Sequence, residues 1–278
     1  MNKLLSCAVI TPIYKSFSDL TKEELINLKS SCKFLNKFPH ILFGPDTLHW
    51  NEYIEFYKSW EITVDIKRFD PKFFMDVSGY NQLLKIFQFY EQFEIYQYIL
   101  IFQIDAYIFK DELQFWCDKG YDYIGAPWFK EQENINQENE FSGIGNGGFC
   151  LRNVQSTVRI LKRVKRLTAI RNYWFKSHLQ SLVHFEIFIS YFKNYFKIKD
   201  INLINDILIA PYINEDHYLS QTLANIFSDY KVALVEDAVK FSFEAKPAFL
   251  YKMNNNQLPF GCHAWQKNDP QFWNSIIN

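Results

Sequence analysis

Tyr98-Ile99-Leu100-Ile101-Phe102 is an apolar and aromatic run that leads through Gln103 and Ile104 into a single carboxylate, Asp105. A buried strand gains by being apolar throughout, and a carboxylate at its end is costly to desolvate unless something satisfies it. Two roles meet that need: a cation ligand at the carboxyl end of a sheet, or a cap on the next turn. A cation would point to an enzyme handling a phosphorylated substrate. Four of the nine glycines fall in Gly143-Ile144-Gly145-Asn146-Gly147-Gly148. Such density persists where backbone approaches something closely or takes positive φ, so the segment reads as a substrate-lining turn or a tight hairpin. Asn214-Glu215-Asp216 sets two carboxylates side by side, suited to a helix N-terminus or to proton transfer. His263 is a lone imidazole, structural or a ligand, and Glu244 puts charge into a strand-like aromatic stretch where none is expected.

These residues need elements to hold them. Cys7 to Thr11 reads as a buried first strand halted by Pro12, His40 to Phe43 as a second, and Ile62 to Ile66 as a third. Residues 19–37 open with an N-cap signal and continue with Leu25, Leu28, Cys32 and Leu35 at helical spacing. A second helix is predicted over 80–93, before the strand into Asp105. Asp122 to Ala126 and Phe149 to Arg152 read as further strands, with a polar, aperiodic loop over 130–142. Strands alternating with helices in this order predict an α/β fold with a largely parallel sheet. Asp105 and the Thr11-Pro12-Ile13-Tyr14 turn then fall at the carboxyl ends of strands, where such sheets bind ligands. Neither GxxxxGK[ST] nor GxGxxG is present, so a diphosphate bound here would be held another way, most simply through a divalent cation.

Composition narrows the classes. Hydrophobic residues make up 48% and aromatics 19%, which excludes a disordered chain, and a net charge of −1 offers no global field for nucleic acid. Five scattered cysteines without CxxC spacing support neither a zinc knuckle nor a disulfide framework and fit reduced thiols in a cytoplasm. The N-terminal apolar run is too short for a signal peptide, and no segment reaches the ~20 apolar residues that span a bilayer. Between 159 and 176 basic residues interleave with apolar ones at helical spacing. That pattern suits a helix packed on the core or one lying on the inner face of the cell membrane. No repeat or linker divides residues 1–278, so a single domain is expected.

Taken in order, the landmarks resemble the nucleotide-sugar glycosyltransferases of the A-type fold. Gln103-Ile104-Asp105 stands where that family has Asp-x-Asp, followed by the glycine-rich turn, a Glu-Asp pair and a late His. The resemblance extends, over about residues 7 to 265, to an uncharacterised group of bacterial and fungal glycosyltransferase-like domains. Their phrases are similar to GYNQLL, YILIFQIDA, YDYIGAPW, GNGGF and PFGCHAW. It implies a Rossmann-like α/β/α sandwich with a mostly parallel mixed sheet, a nucleotide-binding part over about 1–125 and an acceptor-binding part over about 126–278.

The resemblance also implies a reaction: metal-dependent, inverting transfer of a sugar from a nucleoside diphosphate, UDP-hexose by analogy. The acceptor would be a glycan or lipid-linked saccharide in bacterial surface polysaccharide synthesis. Asp105 and His263 would hold Mn²⁺ or Mg²⁺, the imidazole tilting the site toward Mn²⁺. Asp216 would be the base, with Glu215 orienting the acceptor or the base. Thr11, Pro12 and Tyr14 would line the nucleoside pocket, Gln103 would reach a sugar hydroxyl, and Asn146, Gly147 and Gly148 would face the donor sugar. Trp128 and Trp265 would stack on sugar rings or sit in the core. Gln103 in place of the first acidic residue favours one alternative, a degenerate scaffold that binds glycan or nucleotide without turnover.

Overall fold

The computed structural model describes residues 5–130, 140–177, 193–199 and 213–277. Its centre is a six-stranded sheet built from β1 (Leu5–Pro12), β2 (His40–Pro45), β3 (Val64–Phe69), β4 (Tyr96–Phe102), β6 (Tyr123–Ile124) and β9 (Phe149–Asn153), in the order β3-β2-β1-β4-β9-β6. The first four strands run parallel, and β9 is antiparallel to both β4 and β6. This is a mixed α/β architecture with a mostly parallel sheet. β1 from Cys7 onward, β2, and β4 apart from Gln97 are buried and largely apolar on both faces, as parallel strands covered on both sides must be. β9, from the second half of the chain, lies between β4 and β6 of the first, so the sheet is shared across residue 125.

Two smaller sheets flank this one. β5 (Ala106–Ile108) pairs antiparallel with β11 (Gly261–His263), which pairs parallel with β10 (Ser242–Phe243). β7 (Ala126–Phe129) and β8 (Phe141–Gly145) form an antiparallel ribbon. Of the loop predicted over 130–142, residues 131–139 lie outside those described, and Phe141 and Ser142 belong to β8.

Helix α1 (Lys22–Leu35) begins with a capping box: Thr21 Oγ1 accepts from Glu24 N, and the Glu24 carboxylate accepts from Thr21 N. Leu28, Cys32 and Leu35 are buried, and two inward polar residues tie the helix to the chain after β4. Asn27 Nδ2 donates to Ile104 O at 2.9 Å, and Ser30 Oγ accepts from Ile108 N at 3.1 Å. Asn27 Oδ1 also accepts from Trp265 Nε1 at 2.9 Å. Trp265 is thus a buried strut between α1 and the segment after β11.

The helix predicted over 80–93 is two helices, α3 (Val77–Leu84) and α4 (Phe87–Glu91), separated at Ile86, whose backbone is extended (φ −104°, ψ 136°). Side-chain partners outweigh continuous helical spacing here. Tyr90 Oη donates to Leu84 O, a carbonyl freed by the break, and Lys85 Nζ donates to Ile213 O. Short helices α2 (Asn51–Lys58) and α5 (Leu113–Asp118) follow β2 and β5, and the long helix α6 (Val154–Ser177) buries Val158, Ile160, Leu161 and Leu167 against the core. From Val158 to Ile170 its apolar face is therefore committed inward, while Lys162 pairs with Glu91 at 2.6 Å and Arg163 with Asp229 at 2.6 Å. Among the described residues no helix is long and apolar enough to cross a membrane. All five cysteines are free and buried.

Candidate active site

The chain leaves β4 at Phe102 and turns sharply. Gln103 N donates to Gly148 O at 2.8 Å, Ala106 N to Gln103 O at 2.9 Å and Ala264 N to Asp105 O at 3.0 Å. With Asn27 holding Ile104, this backbone is fixed from four directions. β5 then pairs with β11, Ala106 opposite His263, which brings the late histidine beside Asp105. His263 Nε2 lies 3.1 Å from Asp105 Oδ1 and 3.3 Å from Gln103 Oε1, and its Nδ1 lies 3.0 Å from Glu244 Oε1. Lys267 Nζ stands 3.8 Å from the other Asp105 oxygen. Burial opposes a charged imidazole, but the hydrogen bonds to Asp105 and Glu244 outweigh it and push the His263 pKa up to about 9. For Asp105 burial works upward, yet His263 and Lys267 hold its carboxyl below the usual carboxylate range.

The glycine segment is neither wholly a turn nor a hairpin. Gly143 and Gly145 belong to β8, and Asn146-Gly147-Gly148 connects β8 in the ribbon to β9 in the central sheet. Asn146 takes φ of 75° and its Oδ1 accepts from Gly148 N at 2.9 Å and Phe149 N at 3.3 Å, so its side chain builds the turn itself. The two glycines answer to close approach. A methyl group at Gly147 would overlap the Glu215 carboxylate, and one at Gly148 would overlap the His263 ring. Gly147 and Gly148 thus form a thin wall with the Glu215-Asp216 pair against one residue and His263 against the other.

Glu215 and Asp216 open a helical segment over 215–226 that includes a π-helical stretch, Tyr218–Leu223. Successive helical residues point about 100° apart, and the two carboxylates accordingly have different surroundings. Glu215 faces the core at 3% exposure, where Arg152 Nη2 sits 2.7 Å from Oε2 and 2.9 Å from Oε1. Burial pushes its pKa up to about 6, with Arg152 pulling the other way. Arg152 is itself fully buried on β9. It donates to Tyr90 Oη at 2.7 Å and lies over the Tyr123 ring, 5.2 Å from its centroid. Asn81 Oδ1 accepts from Glu215 N at 2.6 Å and its Nδ2 reaches Asn214 Oδ1. Asp216 turns outward: Oδ2 accepts from Gly147 N at 3.0 Å and Oδ1 from His217 N at 2.8 Å.

Open space adjoins both flanks. A cavity of about 470 Å³ is lined by Pro12, Tyr14, Phe74, Tyr80, Gln103 and Asp105. Thr11, at 1% exposure within β1, lies outside that lining. A second cavity, about 620 Å³, shares Tyr14, Asp105 and Lys267 with the first and extends toward α1 and Trp265. On the other flank Asp216 lines a shallow cavity of about 360 Å³ with Trp128, Ile213, Asn214 and His217. Trp128 and His217 are stacked there, with ring centroids 5.9 Å apart.

Asp105, His263 and Gln103 offer a carboxylate, an imidazole and an amide oxygen around one point. Neighbouring donors on an octahedron with ~2.1 Å bonds are ~3.0 Å apart, and the 3.1 and 3.3 Å separations from Nε2 come close to that. By their chemistry these donors suit a divalent ion such as Mn²⁺ or Mg²⁺, and the same separations serve the direct contacts of Nε2 with the two oxygens. Glu244 sits on the far ring nitrogen, and among the described residues no group of three or more His, Cys, Asp and Glu side chains gathers to hold a metal. The remaining positions would fall to ligand oxygens and water.

Four residues that position this site escaped sequence reasoning: Asn27, Asn81, Arg152 and Lys267. Arg152 carried a signal, a guanidinium at the end of the apolar strand Phe149-Cys150-Leu151. Asn27 and Asn81 carried one only as polar residues in otherwise periodic helices.

Fold and site define a mixed α/β protein with an acid–imidazole cluster at the carboxyl end of its sheet. The chain belongs to a family described as a protein of unknown function (DUF5672), whose model matches residues 63–263. That span contains Gln103, Asp105, the glycine turn, Glu215, Asp216, Glu244 and His263. No curated protein matches the chain. Among solved structures it is similar to the mannosyltransferase Ktr4p of S. cerevisiae in complex with GDP, at 11% identity and a TM-score of 0.41, over 57% of this chain and 61% of that one. The chain thus spans less than two thirds of that relative. It is also similar to core-mannan synthase A of Aspergillus fumigatus in its Mn/GDP form (12% identity, TM-score 0.45, 84% of this chain and 73% of that one). A third is a glycosyltransferase involved in glycosylation of the major capsid of PBCV-1 (10%, 0.43, 98% of each chain).

Proposed function

We propose that the chain is a metal-dependent glycosyltransferase that moves a sugar, with inversion, from a nucleoside-diphosphate donor, UDP-hexose first among the candidates, to a glycan or lipid-linked acceptor. The supporting observation is the arrangement about Gly147-Gly148: His263, paired with Asp105, against one glycine, Asp216 bonded to the other, and a cavity on each flank. Asp105, His263 and Gln103 would hold Mn²⁺ or Mg²⁺, which when bound neutralises charge on a departing diphosphate. Pro12, Tyr14, Phe74 and Tyr80 would enclose the nucleoside. The bare backbone of the two glycines lets the Glu215 carboxylate and the His263 ring pack directly on the turn, which sets the two acidic flanks close together.

In the transfer the acceptor oxygen bonds to the anomeric carbon as the bond from that carbon to the diphosphate breaks. Asp216 takes the acceptor proton, and the nucleoside diphosphate leaves. Glu215 faces Arg152 rather than the cavity, so its part is to anchor Asp216, not to touch the acceptor. Trp128 and His217 border the Asp216 cavity and would bracket the acceptor ring.

A thermal-shift screen of UDP- and GDP-sugars with and without Mn²⁺ tests this function. A donor that binds only the folded chain is expected to stabilise it by ~2.7 kcal/mol at a hundredfold excess over Kd, and only with the metal present. No shift with any donor overturns the proposal. Gln103, an amide where the fold's transferases have an acid, favours a second reading, a nucleotide- or glycan-binding scaffold without turnover. Metal-independent nucleotide binding with no release of product supports that one instead.

A further inference from the structure

Glu244 has no part in the chemistry proposed above, yet it holds the ring that does. β10 runs parallel to β11 with Phe243 opposite Cys262, which places Glu244, just past the end of β10, beside His263, the last residue of β11. Glu244 Oε1 is 3.0 Å from His263 Nδ1, and the side chains are only 23% and 14% exposed. The ring is packed against Gly148 on its Nε2 side, which leaves it little freedom to turn. A neutral imidazole carries one N–H, and the partner of one nitrogen decides which nitrogen keeps it. If the proton sat on Nε2, the Nδ1 lone pair would face the Glu244 carboxylate at hydrogen-bond distance, which is repulsive. With the proton on Nδ1, the Nε2 lone pair faces Asp105 Oδ1 at 3.1 Å, which is equally repulsive until a cation stands between these two donors and binds both.

We propose that Glu244 is a positioning residue: it accepts the Nδ1–H of His263 and so directs Nε2, together with Asp105, at a divalent cation. This rests on the metal-site part of the proposed function and adds a carboxylate to it that acts through the imidazole. Partners of this kind raise ligand basicity and fix ring orientation, and losing one costs ~10–100-fold in metal affinity.

The test is a Mn²⁺ titration of the full chain, reading free Mn²⁺ by electron paramagnetic resonance, first with the metal alone and then with UDP or GDP. Wild type, Glu244→Gln, Glu244→Ala and His263→Ala are compared, with melting temperatures measured alongside. Glu244→Ala is expected to weaken Mn²⁺ binding ~10–100-fold. Glu244→Gln, whose neutral amide oxygen still accepts from Nδ1–H but polarises the ring less, is expected to recover only part of that loss, whereas a merely space-filling role would restore it fully. It also reads out alone if the alanine variant fails to fold. If wild type binds Mn²⁺ and both Glu244 variants bind it equally well, the positioning role is overturned while the metal site stands. If wild type takes up no Mn²⁺ with or without nucleotide, the metal reading itself fails and this inference falls with it.

Discussion

Asp216→Asn is expected to cut sugar transfer by ~10²–10⁴-fold, the loss typical of removing a positioned general base, while donor affinity stays near that of wild type. The substitution is nearly isosteric, and the surroundings of Asp216 show what it leaves intact. Both carboxylate oxygens accept backbone N–H groups, Oδ2 from Gly147 and Oδ1 from His217. An asparagine keeps one of these acceptors and turns the other into a donor facing a donor, a cost of ~1 kcal/mol in stability. The fold therefore survives and the chemistry does not. Nucleotide release from the donor giving the largest thermal shift, measured beside the melting curve and the donor KM, separates the two effects. Wild-type turnover in Asp216→Asn would sink the catalytic assignment.

The second large effect concerns stability. Arg152→Met is expected to destabilise the fold by ~3–5 kcal/mol, because it leaves the buried Glu215 carboxyl without its partner, to bear an unpaired charge or take up a proton. For a chain of this size that is a fall in Tm of roughly 6–20 °C. Arg152 is fully buried and contacts Glu215, Tyr90 and the Tyr123 ring, so no water replaces it cheaply. The double variant Arg152→Met/Glu215→Leu is expected to regain most of the lost stability, since apolar replacement of a whole buried ion pair is often neutral. It should also keep most of its turnover if Glu215 takes no part in the chemistry, because Asp216 keeps its own bonds from Gly147 N and His217 N. Thermal melts and nucleotide release on the two variants check both points. A stable double variant without activity would return Glu215 to the chemistry.

Much of the framework is written locally. The apolar runs that become β1, β2 and β4, the Thr21–Glu24 capping box and the strand-end position of Asp105 are all legible in the sequence. Each depends on residues a few positions apart, on backbone sterics and on the period of apolar side chains. Local rules failed where a distant partner outweighed them. The pattern over 80–93 is helical throughout, yet it parts at Ile86 into α3 and α4, where Lys85 reaches the distant Ile213 carbonyl and Tyr90 binds Leu84 O across the break. The glycine cluster has the composition of a hairpin, but β9 pairs with β4 and β6, so the turn is a connection between sheets.

By itself, then, the sequence determined an α/β chain whose strand after residue 95 delivers a carboxylate to the sheet's carboxyl edge, and it supplied the acids and imidazole for a site. Tertiary structure alone decided how they are used. The register of β5 on β11 and of β11 on β10 puts Asp105 and Glu244 on opposite nitrogens of His263. The first turn of the 215–226 segment sends Glu215 inward to Arg152 and leaves Asp216 at the cavity. No local pattern encodes either outcome, because a side chain's partner across a sheet is chosen by strand order and register, which only the packed core sets.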